Sequence, residues 1–369
     1  MSFLIYLIQK IFNVIYMFFK LFPVDNNRIL FISRQSDKPS LDFRLLIREL
    51  NKKGNKRIVV ITKRIEKKYF VALRKNFFIM FRQMYHLARS RICIVDGYNV
   101  AVSFLKHKKT LIVFQIWHSL GAIKKFGYQT MISKKDRKIA KVSRLHKNYN
   151  YIIASSDYEI PFLMEAFNYD RNNFYIAGLP RIDYLLKSSM KNKKKIYKKY
   201  PGFINKKVIL YAPTFRNNND YRFEELIDKV DYSKYVLIIK KHENIHYEIG
   251  DLKGAYLIDD FSTLKLLSVA DYVITDYSAV SIEAAILNIP IYIWAYDYEE
   301  YKKDPGLNVN LKKEFGHYFS EDIDEIYAML DKKYDLNVVL DFKNKNVKYL
   351  DKRVTKRLAN FILKESSYE

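Results

Sequence analysis

Two doubly wound α/β domains are what this sequence predicts, and three observations carry the prediction. The chain has 369 residues, more than one ordinary hydrophobic core accommodates. Short runs rich in β-branched and aromatic residues alternate with helix-like runs, the pattern of parallel sheets covered on both faces by helices. The alternation halts in a lysine-rich stretch at 187–199 and then restarts, so two sheets are implied.

Residues 1–22 form the most apolar part of the chain. On a helix, Ser2, Tyr6, Gln9, Asn13, Tyr16 and Lys20 recur three or four apart and make one narrow polar stripe. Such a helix reads as lying in a membrane interface. Its length nearly suffices to span, but Lys10 and Asn13 sit near the middle. A basic start and a small-residue cleavage site, the marks of a signal peptide, are lacking. A helix packed on the protein's own core is the plain alternative. Pro23 ends the segment.

Strands are expected at 28–33, 56–62, 91–95, 110–116, 149–156 and 174–177, with a helix at 41–52 stopped by Gly54. After 187–199, read as a solvated linker or helix face, strands are expected at 207–212, 235–239, 255–258, 271–275 and 290–294. The stretch 349–364 is helical and basic. The domains are therefore a membrane-associating helix (1–22), a first α/β domain (23–186), a second (187–345) and a C-terminal helix (346–369).

Composition narrows the function. Lys and Arg number 65 against 40 Asp and Glu, a net charge of +25, which calls for an anionic partner such as an acidic polymer, nucleic acid or anionic lipid. The aromatic residues lie in apolar strand runs and are not interleaved with surface cations, which argues against a nucleic-acid stacking platform. The single cysteine, Cys93, makes no internal disulfide and fits a reducing cytosol. No Cys/His cluster has zinc spacing. Asp322 and Asp324 begin a late acidic helix, so no metal and no cofactor are expected.

The chemistry-bearing residues fall at strand ends. The run 112–127 goes from a buried strand to Trp117-His118-Ser119, then Gly121, Lys124-Lys125 and Gly127. A histidine at the carboxyl end of a strand stands where open α/β sheets bind ligands and can accept a hydroxyl proton. The lysines and loop N–H groups can hold an anion beside it. Alone, the stretch reads equally as a His packed under a Trp with a solvated Lys pair. Gly178-Leu-Pro-Arg181-Ile-Asp183 closes the first half. Its Arg181 faces a ligand, makes an interdomain salt bridge, or pairs locally with Asp183. In the second half, Tyr211-Ala-Pro213-Thr214-Phe-Arg216 supplies an arginine suited to clamping a diphosphate. Lys240-Lys241-His242 adds a cationic strand end whose His242 would stabilise phosphate charge. Thr275-Asp-Tyr-Ser278-Ala279 leads into a helix for which Ser278 is a normal N-cap. The same geometry offers free N–H groups to a phosphate, and Glu283 follows in the first turns. Each also has an ordinary structural reading, as a turn, a basic strand end or a cap.

Together these motifs resemble glycosyltransferase-B (GT-B-like) architecture, two Rossmann-like domains facing a cleft. Trp117-His118 with Lys124-Lys125-Phe126-Gly127, Gly178 to Asp183, Tyr211 to Arg216, Lys240 to His242 and Thr275 to Ser278 resemble, more specifically and in the same order, the CDP-glycerol glycerophosphotransferase family of teichoic-acid polymerases and primases. The likeness runs from about residue 28 to about 305. It implies that an acceptor hydroxyl attacks the β-phosphorus of a CDP-polyol, that CMP leaves, and that a polyol phosphate joins a lipid-linked anionic glycopolymer at the cytoplasmic side of the cell membrane, with the enzyme peripheral to anionic lipid. It implies His118 as base and His242 as a second catalytic group. The donor site it implies comprises Ser119, Leu120, Gly121, Ala122, Arg181, Pro213, Thr214, Arg216, Lys240, Lys241, His242, Ser278, Ala279 and Glu283. The sequence departs from the family where Gly-Thr-Pro commonly follows the His, where a second Ser is usual at Ala279 and Asp at Glu283, and at 304–310. The first departure leaves glycerol and ribitol both open. The rival readings are a sugar-nucleotide glycosyltransferase of the same architecture and a non-enzymatic basic membrane-binding protein.

Overall fold

The computed structural model describes residues 2–64, 69–216, 220–241 and 249–367, so His242 lies outside the described residues. The chain divides into two compact units: 1–119 with 126–181 and 353–369, and 120–125 with 182–352.

In the first unit six strands, β1 (Asp25–Ser33), β2 (Arg57–Thr62), β3 (Ser90–Val95), β4 (Ile112–Gln115), β5 (Tyr151–Ala154) and β6 (Phe174–Ile176), form one sheet in the order β2-β1-β3-β4-β5-β6. Every pairing is parallel, with Ile29 opposite Ile58 and Ile92, and Phe114 opposite Ile94. Its helices are α1 (Ser2–Phe19), α2 (Leu41–Asn51), α3 (Tyr69–Arg89), α4 (Val100–Phe104), α5 (Lys134–Val142) and α6 (Ile160–Phe167), followed by the start of α7 (Pro180–Lys199). Leu30, Phe31, Cys93, Ile94, Phe114 and Ile152 are buried, because strands covered on both faces have no polar side to alternate with.

In the second unit β7 (Lys207–Tyr211), β8 (Tyr235–Ile239), β9 (Tyr256–Leu257), β10 (Tyr272–Thr275), β11 (Ile291–Trp294) and β12 (Phe319–Ser320) form a second parallel sheet in the order β12-β11-β10-β7-β8-β9. The strand order, read from β9, is 3-2-1-4-5-6 of the dinucleotide-binding fold, with its switch point between β7 and β10. Its helices are α8 (Phe223–Lys229), α9 (Thr263–Leu266), α10 (Val280–Ile286), α11 (Tyr298–Lys303), α12 (Leu311–Phe315), α13 (Ile323–Leu330) and α14 (Leu336–Asn346).

Several expectations are corrected. Of the two readings of 187–199 the helix face holds, since α7 runs through it, and the main segment of the second unit starts at residue 182 rather than 187. Its lysines lie on a helix, where they need no linker to stay solvated. The C-terminal helix α15 (Val354–Ser367) belongs to the first unit. It buries Val354, Leu358, Ala359 and Ile362, while Phe361 meets Phe114, Tyr151 and Tyr175 across β4, β5 and β6. Strand β12 escaped sequence reading because two residues show no period; pairing with β11 alone defines it. Asp322 caps α13 by accepting from Asp324 N at 2.8 Å, and Asp324 pairs with Lys229.

Helix α1 is turned the opposite way from an ordinary amphipathic surface helix. Its polar stripe faces the protein from Gln9 onward, while Tyr6 is exposed: Gln9 and Asn13 donate to Phe104 O, Asn13 Oδ1 accepts from Lys106 N at 2.8 Å, and Tyr16 OH donates to His107 Nδ1. The apolar residues face outward, with Phe3 77%, Ile11 51%, Val14 55% and Phe18 67% exposed. Among the described residues no helix is long and apolar enough to cross a membrane.

Candidate active site

In the first unit the carboxyl ends of β1, β3 and β4 converge. Past β4, Trp117 takes the left-handed region (φ 58°), which most residues avoid and which signals a locally determined turn. Its N–H is held by Gln115 Oε1 at 2.9 Å, and its ring stacks on Phe126 at 4.5 Å and meets Phe167 edge-on. The anchored tryptophan aims the next side chain. His118 Nδ1 lies 2.9 Å from Asp96 O. A carbonyl only accepts, so Nδ1 carries the proton and Nε2 keeps its lone pair. Gln35 Nε2 at 3.4 Å is a secondary contact, because it would need the other tautomer. The ring keeps solvent-accessible surface, yet its pKa is lowered to about 4, first by desolvation among the surrounding protein atoms and then by Arg181 and Arg34, against the opposing pull of Asp96 O and Asp42. At neutral pH His118 is a neutral imidazole whose Nε2 accepts a proton.

Arg181 holds the same turn from behind. Its N–H, Nε and Nη2 donate to Asp42 at 2.7, 2.9 and 2.6 Å, and Nη2 also donates to His118 O at 3.0 Å. Asp42 is thus a partner that local sequence does not suggest, and Asp183 pairs with Lys187 at 3.4 Å. Sequence reading missed Asp42, which lies 139 residues from Arg181. It also missed Asp96, a buried carboxyl raised to about 7 chiefly by burial, with Ser33 pulling the other way.

In the second unit the carboxyl ends of β7, β10 and β11 converge around Arg216. Arg216 Nη1 donates to Asp276 at 2.7 Å and to Thr214 O at 3.2 Å; Nε and Nη2 grip Asp297 at 2.7 and 2.9 Å. The guanidinium lies 4.5 Å over the Tyr296 ring, and only 3% of the side chain is exposed. The guanidinium expected to clamp a diphosphate thus meets two carboxylates of its own unit, which tie β7 to the ends of β10 and β11. Asp276 also accepts from Thr214 N at 3.0 and 2.9 Å, which fixes Pro213-Thr214. Tyr277 OH donates to Asp297 at 3.0 Å. Burial would raise the Asp297 carboxyl, but Arg216 and Tyr277 outweigh it and hold it below the usual range. Asp276 sat in a motif already singled out, and an acid directly after a buried strand was the signal. Asp297 offered none.

The segment 120–125 is bound into this unit by backbone: Lys125 N donates to Gly306 O at 3.0 Å, Asn308 N to Ile123 O at 2.8 Å, and Asn308 Nδ2 to Lys124 O at 3.1 Å. Gly121 adopts the left-handed region (φ +64°) close to α10, where a Cβ would push against Ile282 Cδ1 at 2.3 Å, so glycine is favoured there. Leu120 and Ala122 are buried, and Ser119, the last residue before the crossover, is half-buried. The clasp brings Lys124 Nζ to 2.9 Å from Thr214 Oγ1 and over the Tyr301 ring. Burial, helped by Arg216 and opposed by Asp276, lowers Lys124 to about 8. It is thus a cation near neutral pH, with ammonium protons beyond the one given to Thr214.

The remaining expected donor residues are placed as follows. Lys240 Nζ donates to Ile258 O at 2.9 Å and lies 3.4 Å from Asp259 Oδ1; Lys241 is half-buried. Ser278 is not the N-cap of α10: that position is Ala279, without a side-chain cap, because the chain turns one residue later than its sequence suggests. Ser278 Oγ accepts from Val280 N at 3.4 Å. Glu283 is buried within α10. Among the described residues no group of three or more His, Cys, Asp or Glu is placed to hold a metal ion.

Two parallel-sheet units, one presenting a pinned imidazole and the other a half-buried lysine beside a strand-end hydroxyl, define a group-transfer enzyme of the two-Rossmann class. The chain belongs to the CDP-glycerol:poly(glycerophosphate) glycerophosphotransferase family, which matches residues 14–364. It is 26% identical to the teichoic acid ribitol-phosphate primase of Bacillus spizizenii, over 98% of this chain and 97% of that one. It is 30% identical to the teichoic acid glycerol-phosphate primase of Bacillus subtilis, over 78% and 77%. Its fold is similar to that of the wall teichoic acid polymerase TagF, with a TM-score of 0.76 at 18% identity over 99% and 97% of the two chains. A variant of that polymerase has been soaked with CDPG (TM-score 0.72, 18% identity, 93% and 90% covered).

Proposed function

We propose that this enzyme transfers ribitol phosphate or glycerol phosphate from its CDP-polyol to a hydroxyl of a lipid-linked teichoic-acid or capsule-type acceptor at the cytoplasmic face of the membrane. The observation that carries the reading is the 2.9 Å contact of His118 Nδ1 with Asp96 O, which commits the ring's proton to Nδ1 and leaves the Nε2 lone pair free, in keeping with a pKa lowered by burial. As the acceptor oxygen forms its bond to the β-phosphorus, its proton passes to Nε2. The bond from that phosphorus to the bridging oxygen breaks, and CMP leaves with the bridging oxygen. Proton acceptance by a placed imidazole contributes roughly 10²–10⁴-fold. Lys124, Thr214, Lys240 and the turn at Ser278-Ala279 receive the diphosphate and nucleotide, and the family resemblance adds His242, outside the described residues, as a second catalytic group. Arg181 and Arg216 are positioning residues, which hold His118 and Thr214 respectively.

Membrane docking rests on α1. A helix that fastens its polar side to the protein and leaves Phe3, Leu7, Ile11, Val14 and Phe18 outward exposes an apolar face that water disfavours and a bilayer interface accepts. Net charge of +25 favours anionic lipid.

Incubating the purified protein with CDP-glycerol, CDP-ribitol and UDP-sugars, and measuring CMP and UDP, tests the reading and identifies the polyol. UDP release without CMP release would defeat it in favour of a glycosyltransferase.

A further inference from the structure

Helix α15 carries a feature that the transfer chemistry does not use. Its inner face is buried, and its outer side carries Lys356, Arg357 and Lys364, with Arg353 just before its first turn. With Tyr175 of the edge strand β6 this face lines a groove of about 650 Å3. Glu365 is the one carboxylate in the lining, and it is engaged, accepting from Tyr151 OH at 2.5 Å. The groove's wall is fixed, because Phe361 stacks on Tyr175 at 3.5 Å with the rings 2° from parallel. Among the described residues neither Lys356 nor Lys364 makes an ion pair or hydrogen bond; the salt bridges lie elsewhere.

We propose that this groove binds a phosphodiester-linked anion, and that in this enzyme the anion is the polyol-phosphate part of the acceptor or product chain. The identification of the chain rests on the proposed function; the phosphodiester chemistry rests on the groove. Lys356 and Lys364 carry like charges on one exposed face of the groove, a field that attracts an anion. Cations from residue 353 to residue 364 extend about 16 Å along the helix axis, longer than a single phosphate and suited to successive ones. Lysine and arginine donate charge-assisted hydrogen bonds to phosphate oxygens, and the aliphatic stems beside Phe361 offer an apolar surface to the carbons between them.

The test is the double variant Lys356→Glu/Lys364→Glu. Both side chains are exposed, so circular dichroism and thermal unfolding should match the unaltered protein. Binding of a soluble poly(glycerol phosphate), measured by calorimetry, should weaken about ten-fold or more, and KM for acceptor should rise while donor affinity stays the same. Sedimentation with phosphatidylglycerol vesicles separates the two sources of phosphodiester. Loss of polymer binding with vesicle binding retained supports the acceptor chain. Loss of vesicle binding alone assigns the groove to lipid headgroups and overturns the chain assignment. Unaltered binding of both overturns the groove. If the unaltered protein releases no CMP from any CDP-polyol, the function fails, while polymer binding still decides the groove.

Discussion

Asp276→Asn should loosen the second unit by about 3–5 kcal/mol, the range for removing one partner of a buried ion pair and leaving the other charge uncompensated. The magnitude follows from burial: 1% of the Asp276 side chain and 3% of the Arg216 side chain are exposed. The asparagine keeps the shape and one acceptor, so Thr214 N retains a bond while Arg216 loses its opposite charge on that side and depends on Asp297 alone. For a unit of this size the loss corresponds to a fall in Tm of roughly 6–20 °C. Arg216→Met leaves two buried carboxylates facing each other and should cost at least as much. The double variant should lose less than the sum, with a coupling of about 0.5–3 kcal/mol. Urea unfolding followed by circular dichroism measures all three, and calorimetric titration with CDP-polyol is run beside it. The reasoning is refuted if Arg216→Met unfolds within about 1 kcal/mol of the unaltered protein while donor affinity falls ten-fold. That result would make Arg216 a diphosphate ligand rather than a frame.

Four further outcomes are expected. His118→Ala should lower CMP release by roughly 10²–10⁴-fold with donor affinity nearly intact; near-normal turnover would make the histidine structural. Donor affinity should fall as pH rises through about 8, where Lys124 loses its proton, and Lys124→Met should be weaker and lack that step in calorimetric titrations across pH. Deleting residues 1–22, or replacing Ile11 and Val14 with Glu, should abolish sedimentation with anionic vesicles; failure of the shortened chain to fold would support a purely structural helix. Burial lowers His107 to about 4 and His146 to about 3, so their stabilising effect is complete above the ordinary histidine value of 6.5 and is lost as pH falls from there toward 4. Asp96, raised to about 7, works in the opposite sense over the same range, so Asp96→Asn should steepen the acid-side fall in Tm.

The sequence determined the class of fold through its period. Short apolar runs alternating with helical ones can bury themselves only as parallel sheets between helices, and among the described residues eleven of the twelve strands lie within the expected stretches apart from small shifts at their ends. It also determined which strand ends carry chemistry, because Trp117-His118, Thr214 and Ser278 follow directly on runs that must be buried. Only the tertiary structure decided how the charges are used. Arg181 and Arg216 look alike in sequence as free clamps, yet each is held by an acid remote in the chain, Asp42 in one case and Asp276 with Asp297 in the other. Local pattern cannot show such pairings, because a buried guanidinium selects its partner by distance in space and by the desolvation cost of having none. Likewise the polar stripe of α1 was legible, but its direction was not. Periodicity separates the two faces of a helix and is silent on which one meets the protein, and here the carbonyl of Phe104, the amide of Lys106 and the ring of His107 took the polar side.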